Sequence, residues 1–188
     1  MANKRTVALT KEQYEEIITA MRKGGAGFRA NPRIATALIL EANLGIRISD
    51  ILSLTPRCII SDGGRWRLDI REIKTSKYRP FPVADAVYQF IMDYCKEYKI
   101  GNDDQLFPFK ERNVQQYLAK VTDYLGYENI GTHSFRKFFG TDIYRENGND
   151  IVLVQELYQH ASPSTTRKYI TILEEEKEEA LQKHVHLL

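Results

Sequence analysis

Apolar side chains recur every three or four residues along most of the chain, a period that predicts amphipathic helices. Thr10 and Gln13 have the spacing of a capping box, so we expect a helix directly after them. A second, strongly apolar helix should begin at Asn31 and Pro32, which resemble an N-cap and a first helical residue. Gly45 should end that helix, and its apolar character predicts a place at the centre of the core.

Further helices are predicted later in the chain. Ser49 is expected to cap a short third helix and Asp85 a fourth. The remaining helical segments are predicted over about residues 112–125, 132–144, 150–158, 163–170 and 174–187. The last of these is highly charged and has few apolar positions, so it could either fray or dock on a neighbouring protomer.

The hydrophobic period changes to two between residues 57 and 83, which predicts short strands. Turn signals at Asp62-Gly63-Gly64 and at Thr75-Ser76 divide this region into three segments. Pro80 and Pro82 fit an edge strand, because proline cannot donate to the hydrogen-bond ladder of a sheet. The expected fold class is therefore α+β, mainly α-helical, with a small antiparallel sheet of about three strands.

Composition restricts the class of protein. With 188 residues, of which 43% are hydrophobic and 28% charged, the chain fits one globular domain with a real core. No apolar run approaches the roughly 20 residues of a membrane helix, and the N-terminus lacks a signal-peptide core. Cys58 and Cys95 have neither metal-ligand spacing nor a disulfide framework, which favours a reduced, cytoplasmic setting.

Charge is distributed unevenly along the chain. The formal net charge is +2. Residues 174–188 contain five Glu and two Lys, so this tail carries −3 and leaves +5 on residues 1–173. A basic body with an acidic tail fits a polyanionic partner, although it would also fit an ordinary enzyme.

Four polar side chains in the last third of the chain carry the candidate chemistry: His133, Arg136, His160 and Tyr169. His133 and Arg136 are neighbours on a helix whose phenylalanines face elsewhere, a pattern that by itself is typical of a solvated basic face. His160 and Tyr169 change this interpretation, because a phenol is a competent covalent nucleophile. Cationic donors stabilise the charge of a transferring phosphoryl group. Together the four side chains suggest metal-free phosphoryl transfer to a tyrosine.

Basic residues earlier in the chain could serve the same chemistry. Arg47 lies in an apolar junction between two helices, where a guanidinium needs an anionic partner such as Asp50 or a phosphate. The second predicted hairpin carries Lys74, Lys77 and Arg79. These three residues would serve solubility or, alternatively, reach a phosphate or a leaving oxygen.

The chain resembles the catalytic domain of the tyrosine recombinases, the phage integrase family, through boxes that occur in the family order. The first box is similar to LGIRISDILSL and places its arginine at Arg47. The hairpin lysine of the family falls within IKTSKYRPFPV, where Lys74 is the best match. The His-x-x-Arg box is similar to THSFRKFFGT, and the last box is similar to YQHASPSTTRKYI. The resemblance covers about residues 8–185.

The sequence also departs from the family pattern. Thr132 replaces a common acidic residue, and Tyr158-Gln159 replaces the commoner Leu-Gly, which should change the local packing. The usual N-terminal core-binding domain is absent from the sequence, which leaves open an excised catalytic domain or a natural short form. The sequence predicts a flexible arm over residues 1–9, a catalytic domain over 10–173, and a C-terminal helix over 174–188 that is either frayed or exchanged between protomers.

The resemblance implies a catalytic set of six side chains: Arg47, Lys74, His133, Arg136, His160 and Tyr169. Tyr169 would attack the phosphorus and form a 3′-phosphotyrosyl link, while the two arginines and His160 bind the non-bridging oxygens. His133 is the candidate base, and Lys74 the candidate acid for the departing 5′-oxygen. No cofactor and no metal is expected, because the phosphotyrosine conserves the bond energy and the arginines replace a metal.

The implied partner is double-stranded DNA, on which the protein would self-associate into a tetrameric synapse, and no membrane is involved. DNA-binding side chains are predicted at Lys77, Arg79, Lys137, Arg167 and Lys168. Two alternatives remain: a non-catalytic DNA-binding or regulatory protein with this fold, and a relaxing topoisomerase of related chemistry. A metal site at His184 and His186 would have a single spacing and no Cys or carboxylate cluster to support it.

Overall fold

The computed structural model of the chain describes residues 6–74, 76, 78–158, 166 and 181. Within them, the chain forms seven α-helices, one 3-10 turn (Pro56–Cys58) and three strands. The helices are α1 (Lys11–Lys23), α2 (Pro32–Leu44), α3 (Ile48–Ser53), α4 (Asp85–Tyr98), α5 (Glu111–Leu125), α6 (Thr132–Glu146) and α7 (Ile151–Tyr158). The strands are β1 (Ile59–Asp62), β2 (Arg65–Arg71) and β3 (Tyr78–Val83). The predicted α+β class is therefore confirmed.

The sheet is antiparallel throughout, in the order β1-β2-β3. In the register, Leu68 pairs with Ile59 on one side and with Phe81 on the other. Pro80 and Pro82 both lie on β3 at the edge of this sheet, as predicted. Alternation along β2 buries Leu68 and Ile70, so one face of the sheet closes over the helical core.

Helix α2 lies at the centre of the core, as its apolar sequence predicted. It packs against α6, α1 and α3, and most of its side chains are buried. Gly45 ends it in the left-handed conformation, with φ +58°, and the Gly45 amide donates to the Glu41 carbonyl. This central position lets α2 fix α3 and α6 relative to one another.

The helix caps were predicted with mixed success. At α1, Thr10 Oγ1 accepts from the Gln13 backbone amide at 3.2 Å, and Gln13 Oε1 accepts from the Thr10 backbone amide at 3.0 Å. These two bonds confirm the capping box. Asn31 caps α2 through a 3.1 Å bond from the Ile34 amide. The cap predicted at Ser49 is wrong, because α3 begins directly after Arg47 and Ser49 lies inside it. Burial of the apolar residues on both sides of Arg47 fixes that earlier start.

The cap predicted at Asp85 is also wrong. Ala84 is the N-cap of α4 and Asp85 is the first helical residue, where its carboxylate still interacts favourably with the helix dipole. The short helix predicted after Ser162-Pro163 and the charged helix over 174–187 fall outside the described residues, except for positions 166 and 181. Over the part of the chain that is described, no helix combines the length and the apolar character needed to cross a membrane.

Candidate active site

Helix α6 carries His133 and Arg136 one turn apart. Arg136 is 0% exposed, so the solvated basic face that this pattern suggested by itself is wrong. The reason is tertiary: α6 packs against α2, and Arg136 is buried on α6 together with Phe135 and Phe139. His133 is half-buried beside it. The helix therefore presents a guanidinium inside the protein and an imidazole at its margin.

Tyr158, at the end of α7, holds Arg136 at two points. Its ring lies 4.8 Å from the guanidinium carbon, and its hydroxyl donates a hydrogen bond to the Arg136 backbone carbonyl. Gly140 makes this approach possible, because a Cβ at that position would collide with the Tyr158 ring and hydroxyl. Tyr158 was not among the predicted site residues. The available signal was its departure from the leucine that is commoner there in the family.

Gly45 brings the Arg47 junction against α6. A Cβ at Gly45 would overlap the Phe139 ring, so only glycine fits, both in conformation and in space. Two residues later Arg47 forms the N-cap of α3 with its side chain 20% exposed. The close contact between Gly45 and Phe139 thus brings the chain that leads to Arg47 against the middle of α6.

Two carboxylates hold Arg47. Asp50 lies 3.9 Å from Nη1, as a partner three residues away in the sequence was expected to do. The closer partner is Glu72, whose Oε2 accepts from Nη1 at 2.7 Å. Glu72 follows β2 and lies 25 residues from Arg47 along the chain, and no sequence pattern had selected it. The Arg47 guanidinium is therefore oriented by two acids before any phosphate arrives.

The predicted basic hairpin is only partly described. Lys74 is exposed in the turn between β2 and β3. The Arg79 backbone pairs with Ile70 in the sheet, while the Arg79 side chain and all of Lys77 lie outside what the structure describes. Lys137 is 7% exposed, and its ammonium donates to the Thr6 carbonyl. The DNA contact predicted for Lys137 would therefore have to come from a buried ammonium that already donates one hydrogen bond.

The electrostatics of His133 show which predicted residues lie together. Burial, which is the largest cause, and the positive charge of four cations together lower the pKa of His133 from 6.5 to about 4. In decreasing order of effect, these cations are Arg136, Lys137, Arg47 and Lys74. The structure therefore gathers Arg47, Lys74, His133 and Arg136 into one electrostatic cluster, which we call the cationic cluster. The His133 imidazole within this cluster is neutral at pH 7 and able to accept a proton.

The remaining predicted site residues, His160, Arg167, Lys168 and Tyr169, lie outside the described residues. His184 and His186 do so as well. Where side chains are described, no group of three His, Cys, Asp or Glu is placed to hold a metal ion.

Glu41 is a second acid that the sequence analysis did not select. It is 0% exposed in the middle of α2, and burial raises the pKa of its carboxyl well above the usual value. The positive charge of Arg136 opposes that rise, which places the two groups within electrostatic range. The one sequence signal was an acidic residue inside an otherwise apolar helix.

This arrangement suits a bound phosphate. Two oriented guanidiniums can share the non-bridging oxygens of one phosphodiester, and a mobile ammonium can reach a leaving oxygen. A neutral imidazole beside them can take a proton from an attacking hydroxyl.

Comparison with known proteins identifies the family. The model of the phage integrase family matches residues 8–176. The probable integrase/recombinase YoeC of Bacillus subtilis is 32% identical over 152 residues, which cover 77% of this chain and 81% of that protein. The tyrosine recombinase XerH of Campylobacter jejuni is 28% identical over 172 residues. That match covers 86% of this chain but 47% of XerH, so the chain spans about half the length of this relative.

Solved structures show the same fold. The XerH site-specific recombinase, bound to palindromic difH substrate in a post-cleavage complex, superposes with a TM-score of 0.73 at 21% identity. This similarity covers 97% of our chain and 54% of that one. The catalytic domain of bacteriophage HP1 integrase gives a TM-score of 0.65 at 16% identity and covers 96% of both chains. The protein therefore belongs to the phage integrase family and has the fold of a tyrosine recombinase catalytic domain.

Proposed function

We propose that the protein is a site-specific DNA recombinase that cleaves and rejoins DNA through a 3′-phosphotyrosyl intermediate. One observation carries the proposal. In a member of this family, Arg47, Lys74 and Arg136 all act electrostatically on His133, although the four residues come from three separate segments of the chain. Each has the chemistry that the corresponding family box requires. The proposed nucleophile is Tyr169, and His160 supplies a further donor to the phosphate.

The proposed reaction is a transesterification that needs no cofactor. The Tyr169 oxygen forms a bond to phosphorus as the bond to the 5′-oxygen breaks, which leaves the 3′-phosphate on the enzyme. The phenolic proton passes to His133, and Lys74 donates a proton to the departing oxygen. Attack by a 5′-hydroxyl of another strand reverses these steps and joins new partners.

The low pKa of His133 fits the role of base in one respect and changes when DNA binds. At pH 7 the imidazole is neutral, so it is ready to accept a proton. Its pKa of about 4 is far below that of a phenol, which would make it a weak base in the DNA-free protein. A bound phosphodiester adds negative charge beside the four cations and therefore raises the pKa of His133 back toward 6.5.

Buried Arg136 should contribute most to transition-state stabilisation. Charge interactions are strongest where water is excluded, and a pre-oriented donor needs no reorganisation when charge develops on the phosphate. By analogy with other preorganised anion sites, removal of either arginine should slow cleavage on the order of 10²–10³-fold.

The proposed partner is double-stranded DNA, on which the protein would assemble as a tetrameric synapse. The DNA-bound structures of XerH and of a lambda integrase dimer support this choice of partner. In this proposal residues 10–173 form the catalytic domain, and residues 174–188 form a helix exchanged between protomers. Of the arm predicted over residues 1–9, residues 6–9 contact the body of the domain, because the Val7 amide donates to the Asn129 carbonyl at 3.1 Å and Leu9 is 3% exposed. DNA contacts are proposed for Lys77, Arg79, Arg167 and Lys168, and a cytoplasmic location and a phage or other mobile element as the source remain predictions.

A suicide substrate tests the proposed function. Footprinting on DNA that flanks the gene first identifies a bound site. A nick is then placed close to the cleavage position, so that the short fragment with the new 5′-hydroxyl diffuses away after cleavage. Wild-type protein should form a covalent adduct that survives denaturation, whereas Tyr169→Phe should form none. Tyr124→Phe is a matched control at an exposed tyrosine on α5 and should react as the wild type does.

The outcomes separate the alternatives. Footprinting without any covalent adduct would identify a non-catalytic DNA-binding protein. An adduct accompanied by relaxation of supercoiled plasmids that lack the bound site would identify a topoisomerase. An adduct formed by Tyr169→Phe would exclude Tyr169 as the nucleophile.

A further inference from the structure

Glu72 occupies a buried position where an apolar residue would be expected. It follows Leu68 and Ile70 on the inward-facing side of β2, at the same interval of two, and it is 5% exposed. A buried acid must be paired, and replacing a buried ion pair by apolar residues is often neutral or stabilising. A carboxylate at this position is therefore poorly explained by stability alone.

The contacts of Glu72 join two parts of the cationic cluster. Its carboxylate binds Arg47 Nη1 at 2.7 Å, and its backbone carbonyl accepts from the Ser76 amide at 2.8 Å. Lys74 lies midway between residues 72 and 76 in the sequence. One residue thus binds the Arg47 side chain and also closes the turn that carries Lys74.

Asp50 adds a second connection between the same two segments. Its Oδ1 accepts from the Ile73 amide at 2.8 Å, and its Oδ2 lies 3.9 Å from Arg47 Nη1. Because Asp50 still faces Arg47, the guanidinium keeps one acidic partner when Glu72 is changed. The turn carrying Lys74 would instead lose its direct ion pair to Arg47.

The geometry at Arg47 leaves room for a substrate. A guanidinium has five N–H donors, and the bond to Glu72 engages Nη1, so other donors remain for a phosphate. Lys74, by contrast, is a flexible side chain in an exposed turn, and placing its ammonium on a leaving oxygen costs conformational entropy. A fixed turn reduces that cost because it restricts the Lys74 backbone before DNA binds.

We propose that Glu72 is a positioning residue that holds the Lys74 turn on the Arg47 guanidinium, so that the proton donor and the phosphate-binding group reach one phosphate together. The inference rests on the proposed function, because it assigns Glu72 to the delivery of the leaving-group proton. Glu72 does not touch the reacting atoms. It acts through Lys74, and its effect should appear only where the leaving oxygen needs a proton.

The test compares two suicide substrates that differ in one atom. The first has the natural 5′-oxygen at the cleaved bond and the second has sulfur in its place. A thiol has a pKa near 8.5, so sulfur leaves without being protonated, whereas an alkoxide does not. Adduct formation is measured in single-turnover experiments at saturating protein, so that DNA affinity does not enter the rate.

We expect Glu72→Gln to slow adduct formation on the oxygen substrate by roughly 10- to 100-fold, by analogy with the carboxylates that orient metal-binding side chains. On the sulfur substrate it should react at nearly the wild-type rate. Lys74→Ala should show the same pattern, and the double variant should be no slower than Lys74→Ala alone. Arg136→Ala should stay slow on both substrates, because a sulfur leaving group does not replace phosphate stabilisation.

Two controls keep the result specific to Glu72. Asp103→Asn disrupts an exposed ion pair of similar length, Arg57 to Asp103 at 2.8 Å, and should leave both rates unchanged. Glu72→Asp keeps the charge but shortens the side chain. It should show a smaller, sulfur-rescued defect, and it provides a second variant if Glu72→Gln folds poorly by circular dichroism.

Two results would overturn the inference. Equal rates for wild type and both Glu72 variants on the oxygen substrate would remove Glu72 from the reaction. Equal slowing on the two substrates would mean that Glu72 acts through Arg47 or through folding. Failure of the wild type to react with either substrate would instead refute the proposed recombinase activity.

Discussion

Burial of Arg136 costs folding free energy and at the same time holds the guanidinium in a fixed orientation. Enclosing a guanidinium at 0% exposure carries a desolvation penalty of several kcal/mol, which its surroundings must offset. The Tyr158 ring supplies a cation–π contact, worth about 2 kcal/mol where water is excluded. The Tyr158 hydroxyl also fixes the Arg136 backbone. The same contacts that offset the burial prevent the guanidinium from reorienting when a phosphate arrives.

The pKa of His133 leads to a prediction about stability. Its folded-state pKa of about 4 lies below the unfolded value of 6.5, so between these pH values the unfolded chain binds the proton more readily. The contribution of neutral His133 to the stability of the folded protein is complete above pH 6.5 and is lost as the pH falls through 4. For the half-buried imidazole, solvent screening leaves an effect on the order of 1–2 kcal/mol.

We therefore expect His133→Gln to abolish this part of the pH dependence. Urea unfolding of the wild type and of His133→Gln at intervals from pH 7 to 4 should show their difference in unfolding free energy changing by about 1–2 kcal/mol. The change should favour the variant at low pH. A proton NMR titration of the imidazole gives an independent measurement. A His133 pKa near 6.5 in the DNA-free protein would contradict the prediction.

Among the elements, the junction between α2 and α3 decides where the first arginine lies. Gly45 ends α2 in a left-handed conformation, and the Phe139 ring of α6 occupies the space that a side chain would need. This combination fixes the direction of the chain that leaves α2 and the closeness of the end of α2 to α6. A family box written as LGIRISD therefore encodes a helix end and a helix contact as well as an arginine.

Gly45→Ala should be more damaging than an ordinary substitution at a helix end. The left-handed conformation costs an alanine about 1–2 kcal/mol, and overpacking against Phe139 adds about 1–3 kcal/mol. Gly126→Ala is the matched control, because Gly126 ends α5 with φ +74° and a Cβ there meets nothing within 4 Å. Chemical denaturation of the two variants should show the larger loss at Gly45. Equal losses would mean that the Phe139 contact relaxes.

The elements themselves were largely predictable, and their exact starts were not. Capping-box spacing at Thr10 and Gln13 predicted α1, because those bonds form within one turn of helix. Ser49 and Asp85 are equally good capping residues by type, yet α3 begins before Ser49 and α4 begins at Asp85. Burial of neighbouring apolar side chains outweighs a cap bond worth about 1 kcal/mol.

At the scale of the whole molecule, net charge conceals the feature that matters. A formal charge of +2 is small, but four cations of this protein act on one imidazole. Two of those cations, Lys74 and Lys137, have the same formal charge but differ in their exposure to solvent. Lys74 is exposed in the hairpin turn, whereas Lys137 is buried against the Thr6 carbonyl. Their contributions to DNA binding should therefore differ.

We predict that the salt dependence of DNA affinity distinguishes the two lysines. Lys74→Met should reduce the slope of log K against log salt by about 1, the effect of losing one phosphate contact. Lys137→Met should leave the slope unchanged and lower the free energy of unfolding by about 1–3 kcal/mol through loss of a charged hydrogen bond. Filter binding at several salt concentrations measures the first effect. A similar slope change for both variants would support the DNA contact that the sequence analysis predicted for Lys137.

The sequence by itself determined the features that depend on neighbours in the chain. Helical and strand periods predicted the α+β class, and the spacing of four boxes identified the family and the six proposed catalytic residues. These signals are local, since caps, turns and amphipathic faces form among residues a few positions apart. Asp50 as a partner of Arg47 belongs to the same group, because the two lie three positions apart.

Only the tertiary structure decided which groups surround each catalytic side chain. Glu72 meets Arg47 across 25 residues, and Tyr158 meets Arg136 across 22. It also decided that Arg136 is buried and that the pKa of His133 falls to about 4. Burial and electrostatic fields depend on all elements packed around a group, and a sequence pattern describes one element at a time.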